Sequence, residues 1–151
     1  MRSRPAIITL AVVAAVVINL LVYAVGRAAG GSFRFTADGV TNEVDAVTVA
    51  GFSAVPLLVG LVLVALLGRL GSWVSRVAAI VAPVLAVVTI LVMTLPADLD
   101  RASTITLALC HVTLAPISVL AIRWINVSPS RRPSLTPSLP GQGADTMRSE
   151  G

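Results

Sequence analysis

The sequence predicts an all-α protein, a four-helix transmembrane bundle with a short β-hairpin in its first outer loop. Three observations predict it. Four uncharged apolar runs, at 6–26, 47–67, 77–95 and 103–122, each hold about 20 residues, which at about 1.5 Å per residue spans a hydrocarbon core of about 30 Å. Only 12% of the 151 residues are charged and 56% are hydrophobic, whereas a soluble domain carries about a quarter charged. The longest outer connection contains Asp38-Gly39, a pair suited to a type I′ hairpin turn because both of its central residues need positive φ.

The first run follows Arg2 and Arg4, as the apolar part of a signal peptide would. It exceeds the usual h-region of about 7–15 residues, so it reads as a retained helix. Barrel strands are excluded for all four runs, because such strands alternate apolar with polar residues and span in about 10. In the loop at 27–46, Phe33 and Phe35 alternate with polar neighbours on one side of Asp38-Gly39, the pattern of a hairpin strand. The inner connection at 68–75 is short, so helices 2 and 3 are expected to be antiparallel neighbours. The outer connection at 96–102 joins helices 3 and 4 in the same way. Pro56, Pro83 and Pro116 predict kinks in helices 2, 3 and 4. Residues 1–124 thus form the transmembrane domain. Residues 125–151, rich in proline and serine and poor in apolar side chains, read as a disordered cytoplasmic tail.

Arginine placement sets the orientation. Arg2, Arg4, Arg69, Arg76, Arg123, Arg131, Arg132 and Arg148 fall on one side, and Arg27, Arg34 and Arg101 on the other, which accounts for all 11 basic residues. Positive charge stays inside, so both termini are expected in the cytoplasm. Trp73 and Trp124 fall at the inner interface, where belt aromatics sit. The net charge of +4 does not point to nucleic acid, because the arginines are scattered beside apolar runs rather than clustered on a basic face. The chain has no lysine, which fits a GC-rich coding sequence. Cys110 is the only cysteine, so no intramolecular disulfide forms, and its apolar run makes it a buried thiol.

The remaining polar residues in the runs define a candidate site. Asn19 and Tyr23, followed by Arg27, share one face of helix 1 with Ala11 and Ala15. Small-residue stripes also mark helix 2 (Ala46, Ala50, Ser53, Gly60), helix 3 (Ala78, Ala82, Ala86, Thr89) and helix 4 (Thr104, Ala108, His111, Ala115, Ser118). Small residues let backbones approach in lipid, so these stripes are expected to meet. Helix 1 rises from inside and helix 4 descends from outside, so Asn19, about 20 Å up, and His111, about 12 Å down, reach one level. Ser53 and Thr89 fall near it. The expectation is an intramembrane polar layer of Asn19, Ser53, Thr89 and His111, with Asn19 bonded to His111 and with Tyr23 and Arg27 at its outer mouth. No catalytic residue, metal site or cofactor is expected. Cys110 points about 100° away from His111 on a helix, and no second histidine exists.

In these residues the chain resembles a family of small four-helix membrane proteins of actinobacteria whose function is unknown. The likeness covers about 6–122. It is carried by the stretch from Asn19 through Tyr23 and Arg27 to Gly30, by Pro56-Leu57-Leu58-Val59-Gly60, and by Leu107-Ala108-Leu109-Cys110-His111-Val112. The family pattern in helix 4 reads Leu-Met-His, and here Cys110 replaces the methionine. The resemblance implies the four-helix fold and a plasma-membrane location, and no activity. Two function classes remain. One is a structural or accessory protein with a protein or lipid partner or a second copy of itself. The other is a transporter or channel component using the Asn19–His111 layer. An enzyme is not expected, for want of paired carboxylates or a nucleophile–base pair.

The orientation predicts the outcome of reporter fusions. Alkaline phosphatase fused after Gly151 is expected to be inactive, and inserted at the Asp38-Gly39 turn it is expected to be active. Activity from the tail fusion would reverse the orientation.

Overall fold

The computed structural model describes residues 3–127. Four helices and one hairpin follow in order: α1 (Arg4–Ala28), β1 (Arg34–Ala37), β2 (Val40–Glu43), α2 (Ala46–Leu67), α3 (Ser72–Thr89) and α4 (Arg101–Val127). A single 3-10 turn, Gly68–Leu70, joins α2 to α3, and α3 ends in a π-turn, Ile90–Thr94. Each helix contains a window long and apolar enough to cross a bilayer. Their outward faces carry large apolar side chains, among them Leu21, Phe52, Leu85 and Val92. An apolar surface on that scale calls for lipid rather than water.

The helices outrun the apolar runs. α3 begins at Ser72 rather than near 77, and α4 spans 101–127 rather than 103–122. Hydrophobicity measures the stretch that must avoid water, whereas a helix continues past it into the interface, where Arg76 and Arg123 can ride on its ends. Of the tail at 125–151, the first three residues belong to α4. The rest lies outside the described residues.

The bundle is an open ring. α1 packs along both α2 and α4, and α3 packs along α4. α2 and α3, expected to be close neighbours, make the sparsest helix contacts apart from α1 and α3. Their short turn fixes only one end of the pair, and the rest of α3 follows α4. The core of the inner half accordingly draws on three helices: Ile7, Ala11 and Ala15 from α1, Leu57, Leu61 and Val64 from α2, and Ala121, Ile122 and Ile125 from α4. Within α3 only Val74 and Ser75 are buried.

The stripes met unequally. Ala11, Ala15 and Asn19 are buried as expected, and Gly26 continues that face. On α2 the buried face is Val49, Ser53, Leu57, Leu61 and Val64, while Ala46 and Gly60 are exposed. Larger aliphatic side chains, Val49, Leu57, Leu61 and Val64, fill most of that contact. On α3 the expected stripe is half-buried. At Gly26 a Cβ would overlap the side chain of Thr106, so α1 and α4 touch there backbone to side chain.

The hairpin forms as expected. Its register pairs Arg34 with Glu43 and Ala37 with Val40. Asp38 and Gly39 have φ of 53° and 76°, the two positive values a type I′ turn requires. Asp45 caps α2, its carboxylate accepting from the Thr48 N–H at 2.7 Å and the Thr48 hydroxyl at 2.6 Å. Those bonds hold the Asp45 carboxyl below its ordinary value.

The α1–α4 approach yields a mutational prediction. Gly26→Ala should destabilise the bundle by about 1–3 kcal/mol, the usual cost of overpacking. Adding Thr106→Ala should recover part of the loss. Denaturant unfolding in mixed micelles measures both, and additive losses in the double variant would refute the contact.

Candidate functional site

Asn19 stands above the three-helix core and is 1% exposed. Its Nδ2 donates to Ser53 Oγ on α2 at 2.8 Å. Its Oδ1 accepts from Thr113 Oγ1 on α4 at 2.5 Å. Thr113 shares its one proton with the Cys110 carbonyl at 2.8 Å. The buried Cys110 thiol sits 3.8 Å from the Asn19 carbonyl, a weak donor at most. A primary amide in hydrocarbon gains by such pairing because lipid offers nothing in its place. One side chain thus joins three helices.

The expected partner of Asn19 was His111. In its place stands Thr113, two positions on and roughly 200° around the helix. His111 turns toward its own helix, where Nδ1 lies 2.8 Å from the Leu107 carbonyl. A carbonyl only accepts, so the neutral ring carries its proton on Nδ1. Thr89 likewise donates to Leu85 of its own helix at 2.7 Å. Sequence depth placed these residues at one level but could not reveal their rotations. Thr113 was missed because threonine in a lipid-facing run commonly bonds its own preceding turn.

All four residues of the expected layer nevertheless border one cavity. It occupies about 650 Å³ between α2, α3 and α4, beneath the hairpin. At the hairpin end it is bounded by Phe35, Asn42 and Glu43, and at the opposite end by Val64, Ala78 and Ile122. Asn19, Ser53, Thr89 and His111 lie between, and the walls are otherwise mainly aliphatic. The cavity is the gap left where α2 and α3 separate.

Tyr23 and Arg27 do not border that cavity, contrary to expectation. Both hold the hairpin. Phe33 is fully buried, its ring 4.6 Å from that of Tyr23 and beneath the Arg27 guanidinium at 5.9 Å. Phe33 has φ of 56°, an uncommon state for a bulky residue. Its N–H donates to Ser103 Oγ at 2.8 Å, and its carbonyl accepts from the Val44 N–H at 2.8 Å, which fixes the backbone there. Arg27 and Arg34 both reach Glu43, at 3.0 and 3.4 Å. These pairs are exposed and contribute at most about 1 kcal/mol each.

Two carboxylates clamp the hairpin to the α3–α4 connection. Asp98 accepts from the Thr36 N–H at 2.7 Å. Asp100 accepts from the Ser103 hydroxyl at 2.6 Å and N–H at 2.9 Å, and from the Ser32 hydroxyl at 2.7 Å and N–H at 2.9 Å. Bonds to its charged form, those of Ser103 foremost, hold the Asp100 carboxyl far below its ordinary value. The Thr36 N–H does the same, less strongly, for Asp98. Counting acids for orientation gave no hint of this clamp, since it depends on loop conformation.

Residues 1–126 match the model of a family described as Family of unknown function (DUF6069). The chain belongs to this family. The match takes in α1, the hairpin, α2, α3 and α4 up to Asn126, so the cavity and the clamp both lie within the family region. No curated protein and no solved structure matches the chain.

The clamp predicts a pH response. A depressed carboxyl stabilises the docked hairpin fully above its ordinary value of 3.8, and the contribution is lost as pH falls from there through the lowered value. Cleavage of the 31–43 segment by a protease should therefore stay slow from pH 8 to pH 5 for the intact chain, and be fast at neutral pH for Asp100→Ala. Pepsin below pH 3 should cut the unmodified segment readily. Equal cleavage of the two chains at neutral pH would remove Asp100 from the clamp.

Proposed function

We propose that the chain is a multi-pass plasma-membrane protein that acts as an accessory component by receiving a lipid chain in the crevice between α2 and α3. The observation carrying this reading is the cavity of about 650 Å³, aliphatic along most of its wall and bounded by helices that scarcely touch. A gap of that size within hydrocarbon does not stay empty, because its lining would forfeit dispersion contacts. Lipid is the most abundant filler available. A protein helix or a second copy of the chain is the other candidate occupant.

The charged groups support a non-enzymatic role. Arg27, Arg34, Glu43, Asp98 and Asp100 are engaged in fastening the hairpin. The arginine distribution supports cytoplasmic termini, and the resemblance supports the plasma membrane of an actinobacterium. A transporter or channel component is the second reading. It draws on the depth of the cavity, which runs from Glu43 past Asn19 and His111 to Ile122.

Spin-labelled phosphatidylcholine tests the first reading. The purified protein in bilayers should immobilise a saturable fraction of the probe, and Ala86→Trp, which fills the cavity wall, should remove that fraction. An unchanged spectrum in the variant would discard the lipid reading. Loss of lipid immobilisation together with crosslinked dimers through α2 and α3 would transfer the crevice to a second copy. A proton leak in proteoliposomes, abolished by His111→Gln, would favour the second reading.

A further inference from the structure

We infer that the crevice selects an amphiphile whose head donates a hydrogen bond, a single-chain long alcohol, with its hydroxyl on His111 Nε2 and its tail running inward. The inference rests on the reading of the crevice as a lipid site and adds the chemistry of the ligand.

It follows from tracing the protons of the polar layer, in which Asn19 donates one of its two amide N–H groups to Ser53. His111 donates from Nδ1 to Leu107, so the opposite nitrogen of the neutral ring is left with a lone pair. Among the described residues, Nε2 has no hydrogen-bond partner. Ser53 donates to the Val49 carbonyl at 2.7 Å while accepting from Asn19. Thr89 donates to Leu85 at 2.7 Å, and Ser118 donates to Leu114 at 2.7 Å. These three hydroxyl protons have gone to the residue's own helix, where the preceding turn always offers a carbonyl. What these residues still offer is lone pairs. Thr94, below the hairpin, borders the cavity, its hydroxyl without a partner among the described residues, and a free hydroxyl accepts as well as donates. The middle of the crevice therefore holds more open acceptor sites than open donors, the donors being the second N–H of Asn19 and the Thr94 hydroxyl.

A ligand head that only accepts has only the second Asn19 N–H and the Thr94 hydroxyl to bond, and it leaves His111 Nε2 without a partner. A carboxylate or phosphate fits worst, since among the described residues no arginine borders the cavity. A hydroxyl supplies the missing proton. Below His111, α4 continues 11 residues to Ile122 at the inner end of the cavity, about 16 Å of aliphatic wall, which suits a tail of moderate length.

The test compares three probes of one chain length: tetradecanol, its methyl ether, and myristate. The full chain is held in phosphatidylcholine nanodiscs, whose lipid carries no hydrogen-bond donor, and bound probe is counted by native mass spectrometry. Tetradecanol should bind on the order of fivefold more tightly than the ether, the worth of one hydrogen bond in lipid. Myristate at neutral pH should bind least. His111→Leu should lower the alcohol to the level of the ether and leave the ether unchanged, and His111→Gln, which keeps an acceptor, should restore part of the preference. Equal binding of alcohol and ether to the unmodified chain overturns the proposal without reliance on any variant, as does tighter binding of myristate. If alcohol and ether bind equally while Ala86→Trp abolishes both, the crevice remains a lipid site and only the hydroxyl preference falls. If Ala86→Trp leaves all three unchanged, the lipid site and the preference fall together.

Discussion

One amide holds the bundle in register. Asn19 bonds α2 through Ser53 and α4 through Thr113, at a depth where lipid can replace neither bond. Bonds of this kind contribute about 0.6–2 kcal/mol each in membrane proteins. Their larger effect is geometric, because each fixes the rotation of a helix about its own axis. With α1, α2 and α4 so arranged, Leu57, Leu61, Ala121 and Ile122 meet below in a common core. α3 takes no part in this network. It packs mainly along α4 and scarcely touches α2, and the crevice lies between α2 and α3.

The separation between what could and could not be read from the residues follows the physics. Helix number and span were legible, because hydrocarbon thickness imposes a length on any uncharged run. The hairpin was legible from two residues, since few pairs accept the backbone of its turn. Asn19, Ser53, Thr89 and His111 were expected at one level from a fixed rise per residue, and all four border one cavity that runs the length of the bundle. Rotation was not legible. Serine and threonine can satisfy themselves on their own helix, so their presence on a face does not say what that face meets. Thr113 and His111 are two residues apart, and only packing decides which of them turns to α1. The order of helices around the ring was equally hidden, because a short connection constrains one end of a helix pair and leaves the other free.

The hairpin end shows a different logic. Arg27, Arg34, Glu43, Asp98 and Asp100 act within the protein. Glu43 gathers two arginines, and Asp98 and Asp100 accept backbone N–H groups of the first loop. Phe33 is inserted beneath them with a backbone conformation its side chain would not favour alone. Burial of that ring against Tyr23 offsets the strain, of order 1–3 kcal/mol. The result is a cap that links the α1–α2 connection to the α3–α4 connection.

That cap changes what α3 is mechanically. The helix is anchored at the bottom by a single 3-10 turn and at the top by a loop stapled to the hairpin, while most of its length touches only α4. It resembles a stave fixed at both ends and free to bow. Pro83 interrupts its hydrogen-bond ladder near the middle, and the π-turn at Ile90–Thr94 loosens its upper end. A change in curvature at those two points would widen or narrow the space beside α2 without disturbing Asn19 or the cap. The entrance and the scaffold are thereby uncoupled, so the one can flex while the other stays rigid.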